Sequence, residues 1–333
     1  MTEHTAALYR SCTQCPRACG VNRAEAKTAG YCGEIQTLRI ASACLHFGEE
    51  PPVTANGGSG TIFITGCNLR CAFCQNYQIS QQGMGAAVSQ DDFVRICLAL
   101  QDAGAENINI VTGSHAAPLL SEYIRHAKAC GLALPVCWNS SAYETAETLE
   151  LLADAVDIWL PDLKTLNPHV SGACFCAEDY PERAKAAIAF MLDRAPPRFA
   201  PLSGGREKML SGVIIRHLFL PGRMDDTRLT LDWLKTHADG RACISLMSQY
   251  TPVPFPDGEK RLEALSAFEN RLVSEQEFRT LTRLIGQYEF EYLFYQELEP
   301  DTEWLPDFTR TQPFSNELAK PVWHWAAGFC SAP

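Results

Sequence analysis

The sequence predicts an α/β protein: a partial, TIM-like (β/α)6 barrel, preceded by a Cys-rich metal-binding segment and followed by a C-terminal extension. Three observations lead there. From about residue 60, short apolar runs alternate with amphipathic stretches, the pattern of a parallel sheet with crossover helices. Six such units suit an open barrel better than a closed eight-fold one. A cysteine-bearing loop follows the first run, where parallel barrels place their chemistry. The Gly-rich first turn of a doubly wound sheet, the alternative fold, is missing there.

The expected strands are 61–65, 108–111, 134–138, 157–160, 213–219 and 243–246, all short apolar runs. Between them, 91–103, 118–130, 144–152, 181–192 and 227–237 have helical spacing. A last helix is expected over Glu275–Tyr288, because Ser274 and Glu277 form a capping-box pattern at its start. Residues 1–58 read as irregular, rich in Cys, Gly and Pro. The segment from Ala195 to Gly205 reads as an exposed loop, and Thr251–Gly258 as a connector into the last helix. The tail after about 298 lacks a period, yet Trp304, Trp323 and Trp325 imply that it packs on something. This divides the chain into 1–58, a core at 59–250, and 251–333.

At 333 residues and 46% hydrophobic, the chain can bury one large core. No run of 18 apolar residues suggests a membrane span. Met1-Thr2-Glu3-His4 lacks the basic and apolar regions of a signal peptide, so a cytoplasmic protein is expected. The net charge of −11 argues against non-specific nucleic-acid binding. Fifteen cysteines, an odd number clustered toward the N-terminus, point to metal rather than a disulfide framework.

Cys67, Cys71 and Cys74 are spaced Cys-x3-Cys-x2-Cys. Three thiolates can hold three irons of a [4Fe–4S] cluster and leave the fourth open to a substrate or cofactor. Structural zinc wants four ligands, and neither His nor Cys follows in the next 20 or so residues. A second set, Cys12, Cys15, Cys19 and Cys32, supplies four thiolates among turn-permitting glycines. These suit Zn2+ or a second iron–sulfur cluster equally well. Either would supply order to a segment with little apolar content.

Gly66-Cys67-Asn68-Leu69-Arg70-Cys71-Ala72-Phe73-Cys74 resembles the cluster loop of radical S-adenosylmethionine (SAM) enzymes. With Cys15-Pro16-Arg17-Ala18-Cys19-Gly20-Val21-Asn22-Arg23 and Leu45-His46-Phe47-Gly48-Glu49-Glu50-Pro51, it is similar to the PflX-like proteins related to pyruvate formate-lyase activating enzyme. The resemblance runs from about residue 12 to about 250. It implies a [4Fe–4S] cluster on Cys67, Cys71 and Cys74, SAM bound at the open iron, and reductive cleavage to a 5′-deoxyadenosyl radical that takes hydrogen from a substrate. It implies contacts to SAM from Asp162 and Lys164 after the fourth strand, and from Arg216 or His217 in the fifth. A Lys can pair with a carboxylate, and an Arg in an apolar strand must find an anion.

Asn139 and Gln249, at the ends of the third and sixth strands, are implied to face the same cavity, with Phe73 and Gln75 near the adenine. The activating enzymes' Gly-Gly-Glu segment is replaced by Thr112-Gly113-Ser114-His115, so the amine contact passes to Ser114 or a backbone carbonyl, and His115 matches the PflX-like group. Implied partners are a flavodoxin- or ferredoxin-like donor and, for an activase, a glycyl radical enzyme. A radical enzyme acting on a small molecule or another side chain, and a non-enzymatic electron-transfer or interaction protein, are the alternatives.

Overall fold

The structure is a computed structural model that describes residues 2–25, 28–254, 258–298 and 305–330. Trp304 and residues 255–257 of the expected connector lie outside the described residues. The described strands are β1 (Arg39–His46), β2 (Ser59–Ile64), β3 (Ala86–Ala87), β4 (Ile108–Val111), β5 (Val136–Ser140), β6 (Ile158–Pro161), β7 (Arg198–Pro201), β8 (Glu207–Leu218), β9 (Cys243–Met247), β10 (Leu293–Tyr295), β11 (Ala319–His324) and β12 (Gly328–Phe329).

Strands β2, β4, β5, β6, β8, β9 and β10 run parallel in that order, with helices in the crossovers. This is the partial TIM-like barrel, with β10 as a seventh parallel strand. The sequence hid β10 because only three residues pair, and none of them is fully buried. The sheet continues antiparallel from β2 through β1, β11 and β12.

Three readings of local structure change. Residues 1–58 are not wholly irregular, since they contain β1 and a helix at Glu3–Leu8. β1 is buried between two neighbours along its middle, so it lacks polar alternation, and its Ala, Ser and Cys residues give a weak β signal. The 195–205 segment is not a plain loop. β7 pairs antiparallel with Glu207–Ser211, and Gly204 and Gly205 turn the ribbon at positive φ. A further helix, Gly258–Leu265, precedes the expected last helix, which is capped by Ser274 and Glu277 as predicted and stops at Ile285. The C-terminal tail packs: β11 lies along β1, and Trp323 is buried.

Strand periodicity separates two packed faces. Ile62, Ile110, Val136, Trp138, Val213, Ile215 and Leu246 point outward into the helix layer. Cys137, Ile158, Leu160, Ile214 and Cys243 point inward, where Val53 packs among them. Val53 belongs to a helical turn, Pro51–Thr54, that plugs the barrel from beneath. Among the described residues, the inner face opens toward the carboxyl ends of the strands, where the cysteine loop lies.

Candidate functional site

The loop after β2 is tightly held. Gly66 has φ 87°, and a Cβ there would lie 2.4 Å from Glu34 Cγ and 3.0 Å from the Cys32 carbonyl, so only glycine fits. Ala72 N donates to Cys174 O at 2.8 Å, Gln81 Nε2 to Cys71 O at 2.9 Å, and Asn68 Nδ2 to Tyr143 O at 2.7 Å. Cys67 and Cys71 are buried and Cys74 is half-buried. Burial pushes the Cys71 and Cys74 thiols up, and each feels the charge of its neighbours in the trio. The backbone N–H groups of Leu69 and Arg70 donate to Cys67 Sγ at 3.3 and 3.5 Å. Cys174 Sγ is turned to Ala264 O. Among the described residues no three ligating side chains close on a single-ion position. The fit to an iron–sulfur cluster thus rests on the chemistry of the donor set: three adjacent thiols, N–H donors to one sulfur, and a positive charge beside them.

That charge is Lys164. Its ammonium acts on Cys71 and Cys74 and donates to Asp162 Oδ2 at 2.8 Å. Burial works against the charge on Lys164, but the Asp162 carboxylate outweighs it and holds the ammonium charged. Burial likewise opposes ionisation of Asp162, and Arg216 and Lys164 together hold it below the usual carboxylate range. Tyr180 fixes the pair: its hydroxyl donates to Asp162 O at 2.7 Å and accepts from Lys164 N at 2.9 Å.

Arg216 spends its donors within the chain. Nε donates to Asp162 Oδ1 at 2.7 Å, Nη1 to Glu49 Oε2 at 3.2 Å, and Nη2 to Asn139 Oδ1 at 2.6 Å. Asn109 Nδ2 supports Glu49 from β4 at 3.1 Å. The anion expected for Arg216 is therefore the protein's own. Glu49 and Tyr180 were missed by sequence reasoning. Glu49 lies in the Leu45–Pro51 stretch, but nothing in its local pattern indicates that a segment before the core folds up into the barrel.

Three expected residues point elsewhere. His217 has the outward parity of β8. It bonds Leu163 O at 2.8 Å and Thr227 Oγ1 at 2.9 Å, so both ring nitrogens are committed between sheet and helix layer. Ser114 is buried and donates to Glu144 Oε1 at 2.7 Å, alongside Trp138 Nε1 and Ser140 Oγ. His115 is buried behind the cysteine loop with Nε2 against Gly66, and burial pushes its pKa down to about 3. Gln75 remains half-buried on the loop, Phe73 packs edge-on against Phe175, Tyr250 and Phe268, and Gln249 Nε2 reaches Glu297 O at 3.4 Å. Thr112, directly after β4, has φ 63°, a conformation costing a β-branched residue roughly 1–3 kcal/mol.

The sequence profile of the radical SAM superfamily matches residues 61–197, the span from β2 through the helix before β7. Residues 61–197 are a radical SAM domain. An uncharacterised protein of Methanocaldococcus jannaschii is 29% identical over 267 residues, covering 77% of this chain and 71% of that one. The pyruvate formate-lyase-activating enzyme of Listeria monocytogenes is 26% identical over 175 residues, half of this chain and 63% of that enzyme. Among solved structures, Streptococcus suis SuiB bound to S-adenosylmethionine aligns with TM-score 0.46 at 14% identity, over 70% of this chain and 48% of SuiB. Methylornithine synthase aligns with the same score and identity over 71% and 70%. The radical SAM superfamily, which the 61–197 span matches, works with a [4Fe–4S] cluster and SAM. Among the described residues no helix is long and apolar enough to cross a membrane.

Proposed function

We propose that the chain is a radical SAM enzyme that holds a [4Fe–4S] cluster on Cys67, Cys71 and Cys74, binds SAM over the polar ends of β5, β6 and β8, and removes a hydrogen atom from a glycine of a partner protein. The observation that carries the site is the adjacency of Lys164 to the three-thiol loop, with Asp162, Arg216 and Asn139 in one bonded row beside it. When bound, the cluster and SAM supply one-electron cleavage to a carbon radical.

The chain's own residues do the positioning. Lys164 offers a cation to a carboxylate at the mouth, and Tyr180 holds its backbone still. Arg216, locked by Glu49, Asp162 and Asn139, sets the spacing of the strand ends without presenting a free charge. The aromatic wall of Phe73, Phe175, Tyr250 and Phe268 excludes water from the side of the loop. Activation of a glycyl radical enzyme is supported by the likeness to the Listeria activating enzyme.

Anaerobic reconstitution with iron, sulfide, SAM and dithionite should release 5′-deoxyadenosine. A partner deuterated at its target glycine should pass deuterium into that product. Release without transfer from any glycyl-radical partner would move the substrate to a small molecule or another side chain. Absence of release from iron-loaded protein would remove the enzymatic assignment of the three cysteines.

A further inference from the structure

Arg23 is 1% exposed, and among the described residues no carboxylate forms an ion pair with it. Its guanidinium donates to three backbone carbonyls: Nε to Glu34 at 3.0 Å, Nη1 to His115 at 2.7 Å, and Nη2 to Ile35 at 2.8 Å. Carbonyls satisfy donors but not net charge, and a buried unpaired cation is costly. The Glu34 carboxyl and Tyr9 both feel its charge, and the other groups near it that can become anionic are thiols. Nη1 is 3.5 Å from Cys12 Sγ, and Cys32 also acts on it. Cys19 shares a hydrogen bond with Cys12, and the sulfurs of Cys19 and Cys32 both lie within 3.5 Å of the point where a Cβ on Gly30 would stand. Cys15 feels the charges of Cys12 and Cys32. Cys12, Cys19 and Cys32 thus gather beside a buried positive charge, with Cys15 next to them, a set of four sulfurs that can share one metal centre.

The placement of this knot decides between a clip and a wire. Cys67 N donates to Cys32 O at 3.3 Å, so a ligand of one set touches a ligand of the other through a single hydrogen bond. Arg17 Nε donates to Asn68 O at 2.9 Å, and Arg70 Nη1 to Tyr31 O at 3.2 Å, binding the knot to the cluster loop from both sides. Cys19, at the opposite edge, is exposed. Both Arg17 and Arg70 lie against the Tyr31 ring, a local positive rim on a chain of net charge −11. A closed zinc site has no redox chemistry and needs no such contact.

We propose that Cys12, Cys15, Cys19 and Cys32 hold a second iron–sulfur cluster, with Arg23 as its counter-charge, through which the electron used at the Cys67–Cys74 loop enters. The proposal rests on the assignment of the first cluster to that loop. One electron from a low-potential flavin or iron–sulfur protein reduces the N-terminal cluster. The same electron passes to the loop cluster, which returns the N-terminal one to its starting state with no bond or proton exchanged.

Full-length protein, purified and reconstituted without oxygen, should carry about eight irons, two four-iron clusters, and no stoichiometric zinc. Electron paramagnetic resonance of the reduced enzyme should resolve two signals. Cys19→Ser, at the exposed edge, should remove one of them and slow reduction of the loop cluster by a flavodoxin-type donor, while small-molecule reduction by dithionite is retained. Arg23→Gln should shift the midpoint potential of the N-terminal signal to more negative values and leave the loop signal in place, and Arg23→Lys should recover part of the shift. About four irons with one zinc per chain would overturn the second cluster and leave the loop assignment standing. Two clusters with an unmoved potential in Arg23→Gln would overturn the counter-charge. Iron confined to the N-terminal set would overturn the loop assignment instead.

Discussion

Two guanidiniums in this chain, Arg23 buried and Arg216 half-buried, meet the same physical requirement in different ways. Arg216, inside the barrel, is answered by Asp162 and Glu49, carboxylates from β6's end and from the segment before β2. Arg23, under the N-terminal knot, is answered by peptide carbonyls and cysteine sulfur. The first cation is neutralised by the chain itself and so acts as a strut. The second has no ion-pair partner among the described residues and lies between the Glu34 carboxyl and the cysteine knot, so what those cysteines bind bears on its stability. A buried Arg is therefore evidence for a ligand only after its internal anions have been counted.

Arg216→Met gives the largest effect expected from this contrast. It leaves Asp162 and Glu49 half-buried with part of their compensation gone, a loss of up to about 3–5 kcal/mol. The loss should be similar in metal-free and metal-loaded protein, read as equal shifts of the denaturant midpoint. A loss confined to the loaded form would mean that Arg216 answers to a ligand after all.

Arg23→Met should divide differently. In metal-free protein it removes a cation that lacks an ion-pair partner, and leaves three carbonyls to find water, so the loss should fall below that of Arg216→Met. In loaded protein the same change deprives an anionic site of its counter-charge, and the loss should grow. Equal losses in the two states would break the comparison. Tyr180→Phe is a smaller perturbation. It deletes one hydroxyl that both donates to Asp162 O and accepts from Lys164 N, worth about 1 kcal/mol. Its signature should be weaker SAM binding by calorimetry with the thermal midpoint little changed; a large midpoint shift with unaltered binding would assign Tyr180 to packing alone.

The sequence made the barrel legible because each core unit obeys one period: apolar strand, then amphipathic helix. It made the cysteine loop legible because chemistry there depends on spacing along the chain. What it concealed was long-range pairing. Nothing near Glu49 predicts that it meets Arg216, 167 residues away. Parity is legible only once strand boundaries are known. Arg216 and His217 are neighbours, and β8 sends one into the barrel and the other to Thr227. The contacts of Ser114 and His115 are hidden for a related reason: both lie in a short helical turn at Ser114–Ala116, and the left-handed Thr112 before it has no sequence signature.

Glu144 extends the comparison to a buried charge with no opposite charge among its bonded partners. Its carboxylate accepts from Ser114, Trp138 and Ser140, all neutral. Burial raises its pKa, and those three donors offset this only in part. The folded state then binds its proton more tightly than the unfolded chain, whose Glu titrates near about 4.3. Stability from this group is complete below that pH and declines as pH climbs through the folded value. Asp162 has the opposite sign, because Arg216 and Lys164 depress its pKa, and its contribution is lost as pH falls below about 3.9 toward its folded value. Glu144→Gln should remove the decline on the alkaline side of pH 4.3, and Asp162→Asn should remove the acid-side loss, each read from denaturant midpoints across pH in metal-free protein. If Glu144→Gln leaves the slope intact, the carboxylate is as well compensated by three neutral dipoles as Asp162 is by two cations, and net charge would cease to distinguish the sites.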